Sequence, residues 1–222
     1  MSDVIEAAAT SGPLAALLSL GFCVKVVDDQ GVVYGTRLGA VVIAASQHED
    51  GSWCLQGLAD GADFSQTATV TLSFDTSPAQ CKSTICNIWR RCSEHSSSIP
   101  QALLEQMLEF PSITVYRPKL LAALNAPCFS RSGTADGKSW PVGLALIDGE
   151  LCIFGPGEHQ QFIPIIAGDW PMAFVTNGPT DLAAKMIALA NPGETVRLLL
   201  TGTGVNVGEW EIGGSIVEKH RD

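Results

Sequence analysis

The stretch VGLALIDGELCIF, residues 142–154, predicts the fold most directly because it contains the strongest hairpin signal in the chain. Two apolar runs flank Asp148 and Gly149, and an Asp-Gly pair suits the two-residue turn of a β-hairpin. Strands joined by such a tight turn are antiparallel neighbours. The stretch therefore predicts an antiparallel sheet in the C-terminal part of the chain.

The same turn chemistry recurs nearer the N-terminus. Asp/Gly-rich segments separate four β-branched or alternating runs, FCVKVVDD (22–29), GVVYGTRLGAVVIAAS (31–46), SWCLQGLA (52–59) and TATVTLSFD (67–75). In the last run, Val70, Leu72 and Phe74 alternate with polar residues, which predicts a strand with its apolar side chains on one face and a wet opposite face. These runs predict a second set of antiparallel strands.

A cysteine-rich stretch, CKSTICNIWRRC at 81–92, follows these strands. Ser77 and Pro78 suit a helix N-cap and first turn, and the apolar residues then recur at helical spacing. They form a single stripe: Cys81, Ile85, Ile88 and Cys92. The first and last of these cysteines would lie roughly 16 Å apart along a helix, too far to share a zinc ion or a disulfide. The stretch predicts a helix whose cysteines pack as small core residues.

Further helices are predicted in residues 3–20, 99–110 and 179–192. The fold class predicted is α+β, mainly antiparallel β in a barrel or sandwich, with about four short helices. The order of elements predicts two similar halves that pack as one compact unit. They are an N-terminal β-meander half with flanking helices (1–98) and a C-terminal β-rich half (99–222).

Composition excludes several classes of function. The chain is acidic, with a formal net charge of −10 and a pI near 4.7. A nucleic-acid-binding protein needs a basic surface to displace counterions, so direct nucleic-acid binding is not expected, and an anionic membrane would repel the chain. Only 16% of residues are charged, against about 25% in average domains. A surface so poor in charge predicts coverage by another subunit or by a partner protein.

Charge is unevenly distributed along the chain. Between Lys82 and Lys138 there are seven basic and four acidic residues, a local charge of +3 that leaves −13 for the rest. A basic middle with acidic flanks can be complementary between copies of the chain, which predicts a homo-oligomer. The interface residues predicted on this basis are Arg90, Arg91, Arg117 and Lys119. Neutralisation within one copy is the alternative interpretation.

The sequence predicts a cytoplasmic protein in a reducing compartment. Its first residues, MSDVIE, lack the basic start of a signal peptide, and no apolar run approaches the roughly 20 residues that span a bilayer. The seven cysteines are an odd number and are not spaced like a disulfide framework. We therefore expect all of them to be free thiols.

Candidate catalytic residues are few. His159 and Glu158 lie in a Gly/Pro-rich segment, GPGEHQQ, that can present both at the mouth of a barrel, and Cys128 lies in a loop near Arg131. Cys81, next to Lys82 at a helix start, is a weaker candidate nucleophile. The sequence predicts no metal site and identifies no cofactor.

An anionic cofactor would meet a stretch without cations, because there is no Lys or Arg from Ser139 to Ala184. It would have to be held by Arg37, Arg117 or Lys119. The glycines of LLLTGTGVNVG, 198–208, do not precede a helix, so they do not form a dinucleotide site.

Two functions follow from these observations. The first is a non-enzymatic β-rich subunit that acts by self-association, as a structural, shell-like or scaffold component. The alternative is a small-molecule or cofactor-binding barrel enzyme with a site near Glu158, His159 and Cys128.

Overall fold

The computed structural model describes residues 12–29, 31–62, 67–93, 102, 106, 108–129, 141–155, 159–177, 183–185, 187–188, 193–201 and 203–217. The predicted fold class is confirmed, since the chain is α+β with two antiparallel sheet systems, one of them a closed barrel. The chain divides into two compact units, Met1–Phe110 and Pro111–Asp222. The duplication of two similar halves stays a prediction.

The first unit contains a five-stranded antiparallel meander in the order β1-β2-β3-β4-β5. Its strands are β1 (Cys23–Asp28), β2 (Gly31–Leu38), β3 (Val41–Gln47), β4 (Trp53–Ala59) and β5 (Ala68–Leu72). One face of the sheet is buried in an apolar core that includes Ile43 and Leu55, each fully buried. The alternation of buried and exposed residues along β3 and β4 places every second side chain in this core.

Two helices of the first unit contribute to that core, α1 (Pro13–Ser19) and α2 (Pro78–Cys92). The prediction for α2 is confirmed at its start, where Ser77 Oγ accepts a hydrogen bond from Gln80 N (3.3 Å) and Gln80 Oε1 accepts one from Ser77 N (2.9 Å). The predicted stripe is buried throughout: Cys81, Ile85, Ile88 and Cys92. Helix α2 therefore covers the sheet with its apolar face, and its cysteines serve as core residues.

The alternation predicted for the fourth run, TATVTLSFD, fails at Phe74. Strand β5 ends at Leu72, and the chain turns at Ser73, where Thr76 N donates a hydrogen bond to Ser73 O (3.1 Å). Phe74 therefore lies outside the strand with 70% of its surface exposed.

The second unit is a closed eight-stranded barrel in the order β10-β13-β12-β11-β6-β9-β8-β7, with every neighbouring pair antiparallel. Its strands are β6 (Ser112–Tyr116), β7 (Gly143–Ile147), β8 (Glu150–Phe154), β9 (Gln160–Gly168), β10 (Ala173–Thr176), β11 (Thr195–Leu200), β12 (Gly204–Val207) and β13 (Trp210–Val217).

The hairpin predicted in residues 142–154 is confirmed as β7 and β8. Gly143 pairs with Phe154 at its open end and Ile147 with Glu150 at its turn. Asp148 and Gly149 both have positive φ angles, 50° and 79°. This is the conformation that a two-residue type I′ turn requires and that Asp-Gly tolerates.

Helical residues contribute to the core of the barrel unit. Helix α3 (Arg117–Leu124) buries Leu120 and Leu124, and the helical residues between 183 and 188 bury Ala184 and Ile187 in the same cluster. A short 3₁₀ helix, Pro127–Phe129, adds the buried ring of Phe129. None of the described helices of the chain has the length and apolar character needed to cross a lipid bilayer.

The two units differ at their strand edges. In the barrel every strand has a paired neighbour on each side, whereas β1 and β5 each pair with one strand only within the described residues. Strand β1 contains a bulge between Val24 and Val26, and a Cβ on Gly35 would lie 2.9 Å from Lys25 Cγ. A bulge and a lysine are features that protect an edge against further pairing. Strand β5, ATVTL, has no bulge, proline or charge.

Candidate functional site

The structure places the predicted catalytic residues of the barrel unit on neighbouring segments. His159 is exposed in the connection between β8 and β9, where its carbonyl accepts a hydrogen bond from Gly155 N (3.1 Å). Cys128 is half-buried in the 3₁₀ helix, and a Cβ on Gly155 would lie 2.7 Å from Phe129 Cδ1. Phe129 therefore links the Cys128 segment to the base of the loop that carries His159. Glu158 lies outside the described residues.

One void among the described residues of the barrel unit is too small for a substrate. That void measures about 10 Å³, enough for roughly one water molecule. Apolar side chains line it, apart from Thr176, whose Oγ1 already accepts a hydrogen bond from Val142 N (3.0 Å).

The cysteines are all free thiols in the structure. Burial raises the pKa of the Cys81 and Cys152 thiols, so both favour the unreactive protonated form at neutral pH. Cys81 is fully buried, which removes the basis for its prediction as a nucleophile. Within the described parts of the chain, no three metal-ligating side chains come close enough to hold an ion.

One end of the five-stranded sheet forms the most distinctive surface of the first unit. Because alternate turns of a meander meet at the same end, the β1–β2 turn, the β3–β4 turn and the end of β5 lie together there. A Cβ on Gly51 would lie 3.8 Å from Phe74 Cβ, which shows that two of these turns touch. We call this surface the hairpin end; its defining residues are Val27, Asp28, Asp29, Glu49, Asp50, Phe74 and Asp75.

The hairpin end exposes apolar side chains among acidic ones. Phe74 is 70% exposed and Val27 is 66% exposed, the two largest values among the exposed large hydrophobic residues. All five acidic residues are exposed. A soluble surface that combines large exposed apolar groups with a charged surround is typical of an interaction site.

The turns of the hairpin end are held by local hydrogen bonds. Asp50 accepts bonds from Ser52 Oγ (2.6 Å) and Ser52 N (2.9 Å), and these bonds, with a smaller contribution from His48, lower the pKa of the Asp50 carboxyl. Asp75 Oδ1 accepts a bond from Ser73 Oγ (2.5 Å). The turn that carries Phe74 is thus ordered, and the phenylalanine projects from a defined backbone.

Several cations lie on or beside the outer face of β6 and β11, a region that we call the basic barrel face. Tyr116 on β6 pairs with Thr195 on β11, and Arg197 pairs with Thr114, so the tyrosine and the arginine are diagonal neighbours on one face. Lys119 Nζ lies 5.6 Å from the centre of the Tyr116 ring. Lys119 therefore lies over the half-exposed Tyr116 ring, whereas Arg197 Nε donates a hydrogen bond to Ser112 Oγ (3.1 Å), on the side of Arg197 away from Tyr116.

Two further cations extend this surface. Arg117 Nη1 donates a hydrogen bond to Ala188 O (3.2 Å) and thereby links the start of α3 to the helical residues that include the exposed Lys185. The basic barrel face consists of Tyr116, Arg117, Lys119, Lys185 and Arg197. Sequence reasoning identified Arg117 and Lys119 but missed Lys185 and Arg197. The alternation of TVRLLL indicated an outward Arg197, but not its pairing with β6.

The other two predicted interface residues belong to the first unit. Arg90 is half-buried and Arg91 is exposed, both in the last turn of α2. Cations there interact favourably with the negative end of the helix dipole. The role of Arg90 and Arg91 in an interface stays a prediction.

No protein-family model and no curated protein matches the chain. Among solved structures, the chain is similar to a DNA polymerase sliding clamp from Pseudomonas aeruginosa (TM-score 0.36, 11% identity, 94% of this chain and 64% of that one). It is also similar to a putative DNA polymerase III beta subunit from Eubacterium rectale (0.40, 10%, 92% and 64%) and to a sliding clamp from Bacillus subtilis (0.37, 10%, 94% and 62%). The chain spans less than two thirds of the length of each of these proteins.

Proposed function

We propose that this protein is a non-enzymatic, β-rich subunit that acts by self-association, as a structural or scaffold component. The observation that carries the proposal is the hairpin end, where Phe74 is exposed on an ordered turn and Val27 is exposed near the end of β1. Exposed aromatic side chains held by a rigid backbone bind at low entropic cost and often supply much of the energy of an interface. The ordered backbone of the hairpin end thus holds exposed apolar side chains in position to contact another surface.

The open sheet supports the same proposal. Its outer face is poor in charge, and Arg37 on that face is neutralised by an ion pair with Asp60 (2.6 Å). Next to the hairpin end, β5 leaves backbone groups on its outer edge without a neighbouring strand in the described structure, and no charged side chain on β5 protects them. Association at this end would cover apolar surface and strand edge together.

The test is the molar mass of the purified protein, measured by light scattering after size-exclusion chromatography across the micromolar range. We expect the wild type to form an oligomer that dissociates on dilution. Phe74→Ser should weaken self-association by roughly 30-fold, since loss of an aromatic anchor costs about 2 kcal/mol.

The matched control for this variant is Phe162→Ser. Phe162 lies on β9 of the barrel with 48% of its surface exposed, so the substitution removes a half-exposed ring from a strand that is paired on both sides. It should leave the oligomer unchanged. A wild type that is monomeric at every concentration would contradict the proposal, and an equal effect of both variants would remove the hairpin end from it.

A small-molecule enzyme is the second candidate function, because the contact between Phe129 and Gly155 brings Cys128 and the His159 loop to the same region of the barrel unit. Such a site predicts that the Cys128 thiol reacts far faster at neutral pH than free cysteine, since an activating base would stabilise its thiolate. The rate of modification by a chromogenic disulfide reagent, compared between the wild type and Cys128→Ser, measures this. Slow labelling of Cys128 in a colourless protein would argue against the enzyme.

A further inference from the structure

We propose that the outer face of the five-stranded sheet, the face opposite helices α1 and α2, packs against the same face of a second copy. This inference rests on the proposed function and adds to it the surface through which two copies meet. A contact between identical faces is isologous, so it closes on itself as a dimer with two-fold symmetry.

The pairing register of the strands defines the outer face, because residues directly opposite each other on paired strands lie on the same side of a sheet. Nearest the hairpin end, one row crosses all five strands: Val26, Val33, Ser46, Cys54 and Thr71. Two shorter rows follow it: Gly35, Ala44, Gln56 and Thr69, then Arg37, Val42 and Leu58. No residue of these three rows belongs to the core on the helix side of the sheet.

The middle of the outer face is uncharged and flat. Apart from Gly35, the residues of the three rows are half-exposed or exposed, and Val26 and Val42 are 48% and 38% exposed. The central strand β3 presents only Val42, Ala44 and Ser46 on this face. A second sheet can pack onto such small side chains face to face, at a spacing of about 10 Å.

The charges of the outer face lie at its margin and balance one another. Arg37 is paired with Asp60 (2.6 Å) at the end of the sheet away from the hairpin end. Lys25 and Asp28 lie on the edge strand β1, and a Cβ on Gly35 would lie 2.9 Å from Lys25 Cγ, so the stem of the lysine crosses this face. Two cations and two carboxylates leave the face neutral in a chain whose net charge is −10. Two copies therefore approach each other at this face without like charges in contact.

The area of the outer face also suits a second copy. Its five strands contain five to eight residues each. At about 3.3 Å per residue and about 4.8 Å between strands, the face measures roughly 22 by 24 Å. Two such faces in contact bury about 1,000 Å² in total, which is the size that a specific interface requires.

A two-fold axis that runs across the strands accommodates the acidic hairpin end. It reverses the strand direction between the copies, so the hairpin end of each copy lies beside the Arg37 end of the other. The two sets of acidic turns are then separated by the length of the strands, roughly 22 Å, well beyond the Debye length of about 10 Å at 0.1 M salt. The hairpin ends thus form the rim of the contact, where Phe74 adds apolar surface.

The variants that test the inference place a charge on the central strand of the face. Val42→Glu should weaken self-association, measured by light scattering, by at least about 100-fold, because its carboxylate would be buried without a partner. Val42→Lys should weaken it too, although it lowers the net negative charge of the chain. Val217→Glu, the same change at a valine 45% exposed on β13 of the barrel, is the matched control and should have no effect. Circular dichroism verifies the fold of each variant.

A second measurement uses the unmodified chain, because Cys54 lies on the outer face and is half-buried. Alkylation by iodoacetamide, located by mass spectrometry, should be at least about tenfold slower at Cys54 in the associated protein than after dilution to the monomer. Cys128, half-buried in the barrel unit, is the internal control and should react at the same rate in both. Raising the salt from about 0.1 M to about 1 M should not release Cys54, since no attraction between opposite charges holds the faces together.

Three outcomes would overturn the inference in different ways. If the wild type associates while Cys54 stays reactive and Val42→Glu has no effect, another surface joins the copies and self-association stands. If Cys54 reacts slowly at every concentration, residues of the same copy cover the face. If the wild type is a monomer at all concentrations, the proposed function fails together with this inference.

Discussion

The open sheet of the first unit and the closed barrel of the second satisfy the same requirement, a buried apolar core, by different means. The barrel closes around its core and pairs every strand on both sides. The sheet covers one face with helices, and within the described residues its two edge strands each pair with one strand only. Among the described residues, strand edges that lack a neighbouring strand therefore occur in the first unit and not in the barrel.

The same difference determines how each unit accommodates an atom added to a packed position, as in a Gly→Ala substitution. In the barrel, a backbone strand is confined by neighbours on both sides, so a new atom cannot be accommodated by moving one element away. In the sheet, helix α2 meets the strands through its side chains. A side chain can change rotamer to relieve an overlap, whereas a backbone atom inside a closed ladder has no such freedom.

The largest effect is expected from Gly214→Ala, which tests the barrel where β13 pairs with β10. A Cβ at this position would lie 2.2 Å from Val175 O and 2.3 Å from Phe174 Cζ, so it meets the backbone of the neighbouring strand and a fully buried ring. We expect a loss of about 3 kcal/mol in the free energy of unfolding. Equilibrium denaturation in urea measures it.

The adjacent glycine provides the control. A Cβ on Gly213 would have no atom within 4 Å, so Gly213→Ala should change stability by less than about 0.5 kcal/mol. Equal stability of the two variants would show that β13 can move away from β10, and the barrel would then be as adaptable as the sheet.

Sequence reasoning predicted the local elements well because their causes are local. Asp148 and Gly149 suit the turn that they form, and Ser77 with Pro78 starts α2 as their chemistry requires. The apolar period of the same helix identified its buried face. In each case the residues that determine the structure lie within one or two turns of each other along the chain.

Features that depend on distant pairing could not be read from the sequence. Arg197 and Tyr116 are neighbours only because β11 pairs with β6, more than seventy residues earlier in the chain. The placement of Phe74 in a turn was missed because its alternation with Val70 and Leu72 continued the pattern of a strand. In the structure, Thr76 N donates a hydrogen bond to Ser73 O, and this bond closes the turn that contains Phe74.

A smaller effect is expected from Gly57→Ala, which introduces a comparable overlap into the open sheet. A Cβ on Gly57 would lie 2.2 Å from Ile88 Cγ2 and 3.1 Å from Cys92 Sγ, so the overlap is with side chains of α2 and not with backbone. Because the overlapped side chains can change rotamer, we expect a loss of about 1.5 kcal/mol, half that of Gly214→Ala. A double-mutant cycle with Ile88→Leu, which removes the Cγ2 branch, measures the coupling by urea denaturation of all four proteins. The two substitutions should be non-additive, with the pair more stable than the sum of the single effects by about 1 kcal/mol. If Gly57→Ala destabilised the protein as much as Gly214→Ala and Ile88→Leu gave no relief, the helical layer of the first unit would be as rigid as the barrel.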